Sequence, residues 1–257
     1  LNVIALWKQE PRDLTRLQQP TTSAKFGAAW RNFTAPPSTR RLLATVGFGT
    51  AAFSMQDILL EPYGGQILHM QVGATSQLTA LSAVGALVAF GFAARSLRRG
   101  AEPLRVAAVG ALVGVLAFAA VVFAEPMGSA LLFRSGAVLI GFGGGLFSVG
   151  TLLAAMALQK ADNGLALGAW GAVQASAAGL SIALGGAVCN VIGELAAHGQ
   201  MGPALASPAT GYLFVYHFEI ALLFAALVAV GPLARRRGQR NRDEQGEQRL
   251  GLAELPG

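Results

Sequence analysis

The chain has 257 residues, of which 53% are apolar and only 12% charged, with a formal net charge of +6 and a single cysteine. A soluble domain carries about 25% charged residues, so this composition argues against a soluble globular fold. The positive charge argues against a nucleic-acid partner too, because no basic stripe interleaved with aromatics falls on one face. Cys189 alone leaves no internal disulfide and no cysteine-based metal site, and it reads as a small packing residue.

From the N-terminus, Leu-Asn-Val-Ile-Ala-Leu lacks the basic start and cleavage site of a signal peptide. It is expected to be the last turns of an earlier membrane helix, which makes this the C-terminal part of a longer protein. Residues 1–41 then form a basic linker. Within it Thr22 or Ser23 can cap a short helix whose Phe26, Trp30 and Phe33 share one face, with Lys25 and Arg31 off that face. Such a helix either lies on the bilayer surface or packs on a helix bundle.

Residues 42–233 contain six long apolar segments, at 42–63, 72–94, 104–124, 130–157, 164–192 and 212–233. Each reaches the ~20 residues needed to cross the hydrocarbon core. The fold class is therefore all-α, a polytopic membrane bundle. Lys and Arg are distributed as seven before the first segment, four between the second and third, Lys160 between the fourth and fifth, and six after the last. By the positive-inside rule both ends are cytoplasmic, and the loops at 64–71, 125–129 and 194–211 face outward. The tail, 234–257, is polar and basic and is expected to lack regular structure. The 33 glycines suit close helix packing, with Gly141/Gly145 and Gly164/Gly168 at small-xxx-small spacing. Such a stripe can instead leave a groove for a flat ring system.

Polar groups at membrane depth are costly, so function is sought there first. Gln56, Asp57 and Glu61 close the first span, and Asp57 lies ~9 Å below the interfacial Tyr63. Asp57 and Glu61 are spaced to share one helix face, and Pro62 with Gly64 and Gly65 is expected to break the helix at the outer surface. Arg134 is the one Lys or Arg outside the cytoplasmic set, at a depth comparable to Glu61. An ion pair from Arg134 to Glu61 or Asp57 is predicted, as a relay or as a static clamp. Gln174 is a mid-membrane amide, read as an interhelical hydrogen-bond donor or a ligand contact. The last span carries Tyr216, His217 and Glu219, with Glu219 ~10 Å in from Tyr212. His217 and Glu219 point about 200° apart and cannot form one compact site. A neutral imidazole either bonds to a neighbouring helix or ligates a metal, including the magnesium of a chlorin. No hydrolase, metalloprotease, P-loop or dinucleotide motif occurs, and the reading is not an enzyme.

Six spans after a basic loop look like the C-terminal half of a twelve-helix major facilitator. The strings QDILLEPYGG (56–65), LIGFGGGLF (139–147) and LGAWGAVQA (167–175) narrow this, and the chain resembles the PucC/LhaA family over about residues 26–237. The loop ARSLRRG (94–100) lacks the acidic residue of the general transporter motif. The resemblance implies a factor for light-harvesting complex assembly in phototrophic bacteria, placed in the inner, intracytoplasmic photosynthetic membrane. Its implied partners are antenna subunits, the reaction-centre complex and membrane lipid, its implied cargo bacteriochlorophyll, with carotenoid a further candidate. No metal site and no nucleic acid are implied. It also implies a central cavity holding Asp57, Glu61 and Arg134, and a peripheral last span whose His217 or Glu219 touches pigment or a partner helix. Trp170 and Tyr216 are further candidates for such contacts. Two other readings stand beside it: a secondary-transporter half moving an amphipathic solute, and a structural subunit of a photosynthetic complex.

Overall fold

The computed structural model describes the backbone at residues 26–157 and 163–253 and the side chains at 27–157 and 164–233. The expected helix remnant, the Thr22 or Ser23 cap, Lys25, Lys160 and the tail's side chains lie outside those residues. The described residues contain no strand. They form α1 (Phe26–Thr34), α2 (Pro37–Met55), a 3-10 turn (Gln56–Ile58), α3 (Leu60–Gln66), α4 (Val72–Arg98), α5 (Pro103–Ala124), α6 (Ala130–Met156), α7 (Asn163–Ala197), a 3-10 turn (Pro203–Leu205) and α8 (Thr210–Ala253). Five helices are long and apolar enough to cross a membrane, and α2 with α3 makes a sixth span bent by 41°. The protein is thus a multi-pass helical membrane protein.

Local chemistry sets most boundaries. Pro37 and Pro103 open α2 and α5, where the missing N–H has no helical partner to lose. Ser129 caps α6, its hydroxyl accepting from the Leu132 N–H at 3.2 Å. Beyond residue 233 the backbone stays helical to Ala253, where the composition suggested no regular structure. Its Arg, Gln and Glu residues are good helix formers, and a helix already nucleated by a span extends easily.

The first span departs from expectation. The helix breaks at Gln56–Ile58, and Pro62 and both glycines lie inside α3. Proline is tolerated in a first turn, while its ring and missing N–H disrupt the turn before it. The break therefore falls one turn deeper than the proline itself, and Asp57 and Glu61 are not on one continuous helix.

In the packing, α6 is clasped by α4 and α5. Gly141 meets the α4 backbone at Ser82, Gly145 meets Ala86 and Ala89, and Gly143 meets the α5 backbone at Gly110. Ser82 Oγ donates to the Ala137 carbonyl across this seam at 3.0 Å. By contrast Gly164 and Gly168 meet no neighbour. They line an open apolar recess of about 500 Å³ with Trp30, Leu165 and Ala169. Helix α1 packs on the bundle, its buried Phe33 set against Ala166 and Ala169 of α7.

Helix α8 packs on α2, α5 and α7. Small residues admit it: Gly114 of α5 leaves room for Leu223 and Phe53, and Gly211 seats against α7 at Cys189.

Candidate functional site

Three polar regions result. The first is an open groove of about 360 Å³ between α2, α4 and α6, lined by Phe53, Gln56, Asp57, Ser82, Gly144 and Ser148 among others. It exists because α2 stops at the 3-10 turn, which swings Asp57 toward α4. Gln56 Nε2 donates to Asp57 Oδ1 at 2.6 Å. One turn on, Glu61 is exposed, and its Oε1 accepts from Thr79 Oγ1 of α4 at 2.7 Å. Beside Ser148 at the groove, α7 reaches α6 twice. Gln174 Nε2 donates to Ser148 Oγ at 3.4 Å, and Trp170 Nε1 donates to the buried Thr151 Oγ1 at 3.3 Å.

Arg134 takes no part in this set. It is exposed, and among the described residues the ion pair within 4 Å is Arg105 with Glu102 at 3.4 Å. The predicted pair from Arg134 to Asp57 or Glu61 is therefore not formed. The reason is angular: Phe133 occupies the face of α6 that meets Tyr63, with ring centroids 5.5 Å apart, and Arg134 lies about 100° further round.

The second region is a buried core where α3, α5 and α8 meet. Tyr63 is its centre, with ring centroids 5.4 Å from Tyr212 and 5.5 Å from Tyr216, both edge-on. Phe118 stacks on Tyr216 at 6.3 Å and leads on to Phe53. Tyr212 donates its hydroxyl to Gln66 Oε1 at 2.8 Å, joining the start of α8 to the end of α3. Glu219 is 0% exposed, as are Tyr63 and Tyr216. Among the described residues, both Glu219 oxygens, both of those phenol oxygens and Gln56 Oε1 have no hydrogen-bond partner. Glu219 therefore does not reach the surface of the described bundle. Residue identity signalled the acid, but the clustering of Tyr63, Tyr212 and Tyr216 around one point was carried by no local motif.

The third region is the opposite face of α8. His217 is exposed, and its Nδ1 lies 2.7 Å from the Leu213 carbonyl one turn back. A carbonyl oxygen only accepts, so Nδ1 donates in this contact, and in the neutral ring Nε2 then carries the lone pair. Phe214, Phe218 and Phe224 are exposed on the same helix, and the exposed Ala221 lies one turn on from His217.

Together these features define a helical membrane bundle with an acid-lined groove, a buried acid and an outward-facing imidazole. Comparison with known proteins places it more narrowly. The PUCC protein family matches residues 1–238, and the chain belongs to that family. It is 51% identical over 259 residues to a Rhodobacter capsulatus protein described as "Uncharacterized protein in puhA-bchM intergenic region", covering all of this chain and 54% of the relative. It is 43% identical over 238 residues to Protein PucC of Cereibacter sphaeroides, covering 91% of this chain and 50% of that one. It is 52% identical over 189 residues to Protein PucC of Rhodovulum sulfidophilum, covering 72% and 42%. The chain thus spans about half the length of the curated relatives it matches. No solved structure matches it.

Proposed function

We propose that this chain serves the photosynthetic apparatus as a membrane assembly factor for light-harvesting complexes, binding bacteriochlorophyll, antenna helices or both. Family membership supports the photosynthetic setting. The single observation that carries the binding reading is His217. An imidazole with Nδ1–H fixed to a backbone carbonyl and Nε2 turned outward is oriented as metal-ligating histidines are oriented by their outer partners. A chlorin magnesium is a fitting acceptor for that lone pair, and the three phenylalanines beside it offer stacking surface for the macrocycle or for a carotenoid. The work is holding and handing over, and no constellation of nucleophile and base among the described residues calls for catalysis. The basic residues at the helix ends orient the bundle in the inner membrane with both ends cytoplasmic.

The test is an absorption spectrum of the protein purified in detergent from a pigment-producing host, with co-purifying polypeptides identified. The expected result is a red-shifted chlorin band together with antenna polypeptides. His217→Ala should lower the pigment-to-protein ratio at least several-fold while leaving the melting temperature unchanged. Equal pigment content in the variant would remove His217 from the reading. A colourless, partner-free protein would favour the second reading, a transporter half, which the acid-lined groove supports; flux assays with Asp57→Asn would then decide.

A further inference from the structure

The recess beside α1 belongs neither to the groove nor to the His217 face. Trp30 of α1 walls it on one side, and Gly164, Leu165, Gly168, Ala169 and Ala172 of α7 wall it on the other. Its shape has a local cause. A Cβ built on Gly164 or Gly168 meets nothing within 4 Å, and with Ala172 these residues succeed one another turn by turn along one face of α7. Phe33 meanwhile pins α1 to Ala166 and Ala169, with Trp30, Leu165 and Leu43 of α2 in the same apolar cluster. Helix α1 is thus docked at the edge of the hollow without filling it. The wall offers no imidazole, thiol or carboxylate among the described residues, so a chlorin would find no side-chain ligand for its magnesium there. A rigid helix could enter only by lifting α1, whereas a flexible hydrocarbon chain needs no such movement.

The charge around the recess has one sign. Residues 26–56 carry Arg31, Arg40 and Arg41 and no Asp or Glu, and residues 164–193 carry no charged side chain. All three arginines are exposed, and none is paired with a carboxylate among the described residues. Two of them are held close to the recess. Arg31 follows Trp30 directly, its Nε donating to the Gly27 carbonyl at 3.2 Å. Arg40 stands three residues before Leu43, hence on the face of α2 that meets Trp30's cluster. Its Nη2 donates to the Ala35 carbonyl at 3.1 Å, which draws the guanidinium back toward the corner between α1 and α2. Each guanidinium keeps further N–H donors and its full charge. An apolar slot with cations beside it matches the two ends of one class of molecule. We propose that the recess is a binding site for one anionic phospholipid, its acyl chain against Gly164, Gly168 and Ala172 and its phosphate on Arg31 and Arg40. The lipid completes the seat of α1 on α7, so the position of that helix depends on the charge of the surrounding membrane.

The test uses the full chain reconstituted in phosphatidylcholine vesicles with a minor share of phosphatidylglycerol. The protein is then taken up in mild detergent, and the lipid retained per chain is measured by mass spectrometry. Wild type should keep about one phosphatidylglycerol per chain and little phosphatidylcholine. Gly168→Leu places its side chain in the recess without striking the protein. That variant, and the double variant Arg31→Gln with Arg40→Gln, should each lower phosphatidylglycerol retention at least several-fold at an unchanged melting temperature. Gly179→Leu is the control, about three turns further along the same face of α7 and equally free of neighbours, and should leave retention unchanged. Equal retention of the two lipids by wild type, retention unmoved by Gly168→Leu or by the arginine pair, or an equal loss in Gly179→Leu would each overturn the proposal. A dimer that Gly168→Leu converts to monomer with lipid unchanged would assign the recess to a second copy of the chain and overturn it as well.

Discussion

The first span and the last span each bring carboxylates to membrane depth, and they treat them in opposite ways. Asp57 and Glu61 open onto the groove and the surface, and each accepts a hydrogen bond from a neighbouring side chain. Glu219 is sealed in the core with no hydrogen bond to the described residues. The difference comes from the backbone. A broken helix lets its acids turn outward, whereas the unbroken stretch of α8 around residue 219 fixes the side chain's direction and buries it between α2, α5 and α7. Depth along a span therefore says little about exposure; the angle around the helix decides it.

Substitutions can break this contrast. The largest effect is expected for Glu219→Lys, which leaves an unpaired ammonium in the core. A loss of about 3–5 kcal/mol is expected, read as loss of folded protein in detergent melts. Asp57→Lys, at the groove lip, should change stability by less than about 1 kcal/mol. Equal losses from the two would erase the distinction. Next comes Tyr63→Ala, which removes the ring that contacts Tyr212, Tyr216 and Phe133, at a cost of about 3–5 kcal/mol in the same melts. Tyr216→Phe sharpens the comparison in the other direction. It deletes a buried hydroxyl without a partner, so stability should hold or rise by about 1 kcal/mol. A clear loss would mean that the hydroxyl is bonded. The smallest effect is expected for Thr79→Val, which removes one exposed hydrogen bond to Glu61 and should cost less than about 1 kcal/mol.

How far the sequence could be read follows the same division. Segments at 72–94, 104–124 and 130–157 match α4, α5 and α6 closely, because a long apolar run has few alternatives once it must satisfy its own backbone in lipid. The membrane class and the family strings were legible for that reason. The inward face of α8 was not. Lipid is as apolar as a protein core, so Phe214 and Phe224 outside and Leu223 and Val215 inside look alike in the pattern. The position of Glu219 and the failure of Arg134 to meet Asp57 both follow from facing, which hydrophobicity does not encode here. The bend at Gln56 was half legible: Pro62 announced a break, but not that it would fall a turn earlier. Of the two glycine pairs, Gly141/Gly145 makes a helix seam and Gly164/Gly168 an open recess, although their spacing is the same.

The bend also bears on the order in which the protein is made. Helix α3 has seven residues, about 10 Å of rise, too short to be held in the membrane by lipid alone. Its anchors are Thr79 on α4 and, through Tyr63 and Gln66, Tyr212 and Tyr216 on α8, which leaves the ribosome last among the described spans. Among the described spans, the first is thus completed by the last. A nascent chain arrested before residue 210 should leave a cysteine placed at residue 63 open to a membrane-permeant thiol label. The same site should close once α8 has emerged.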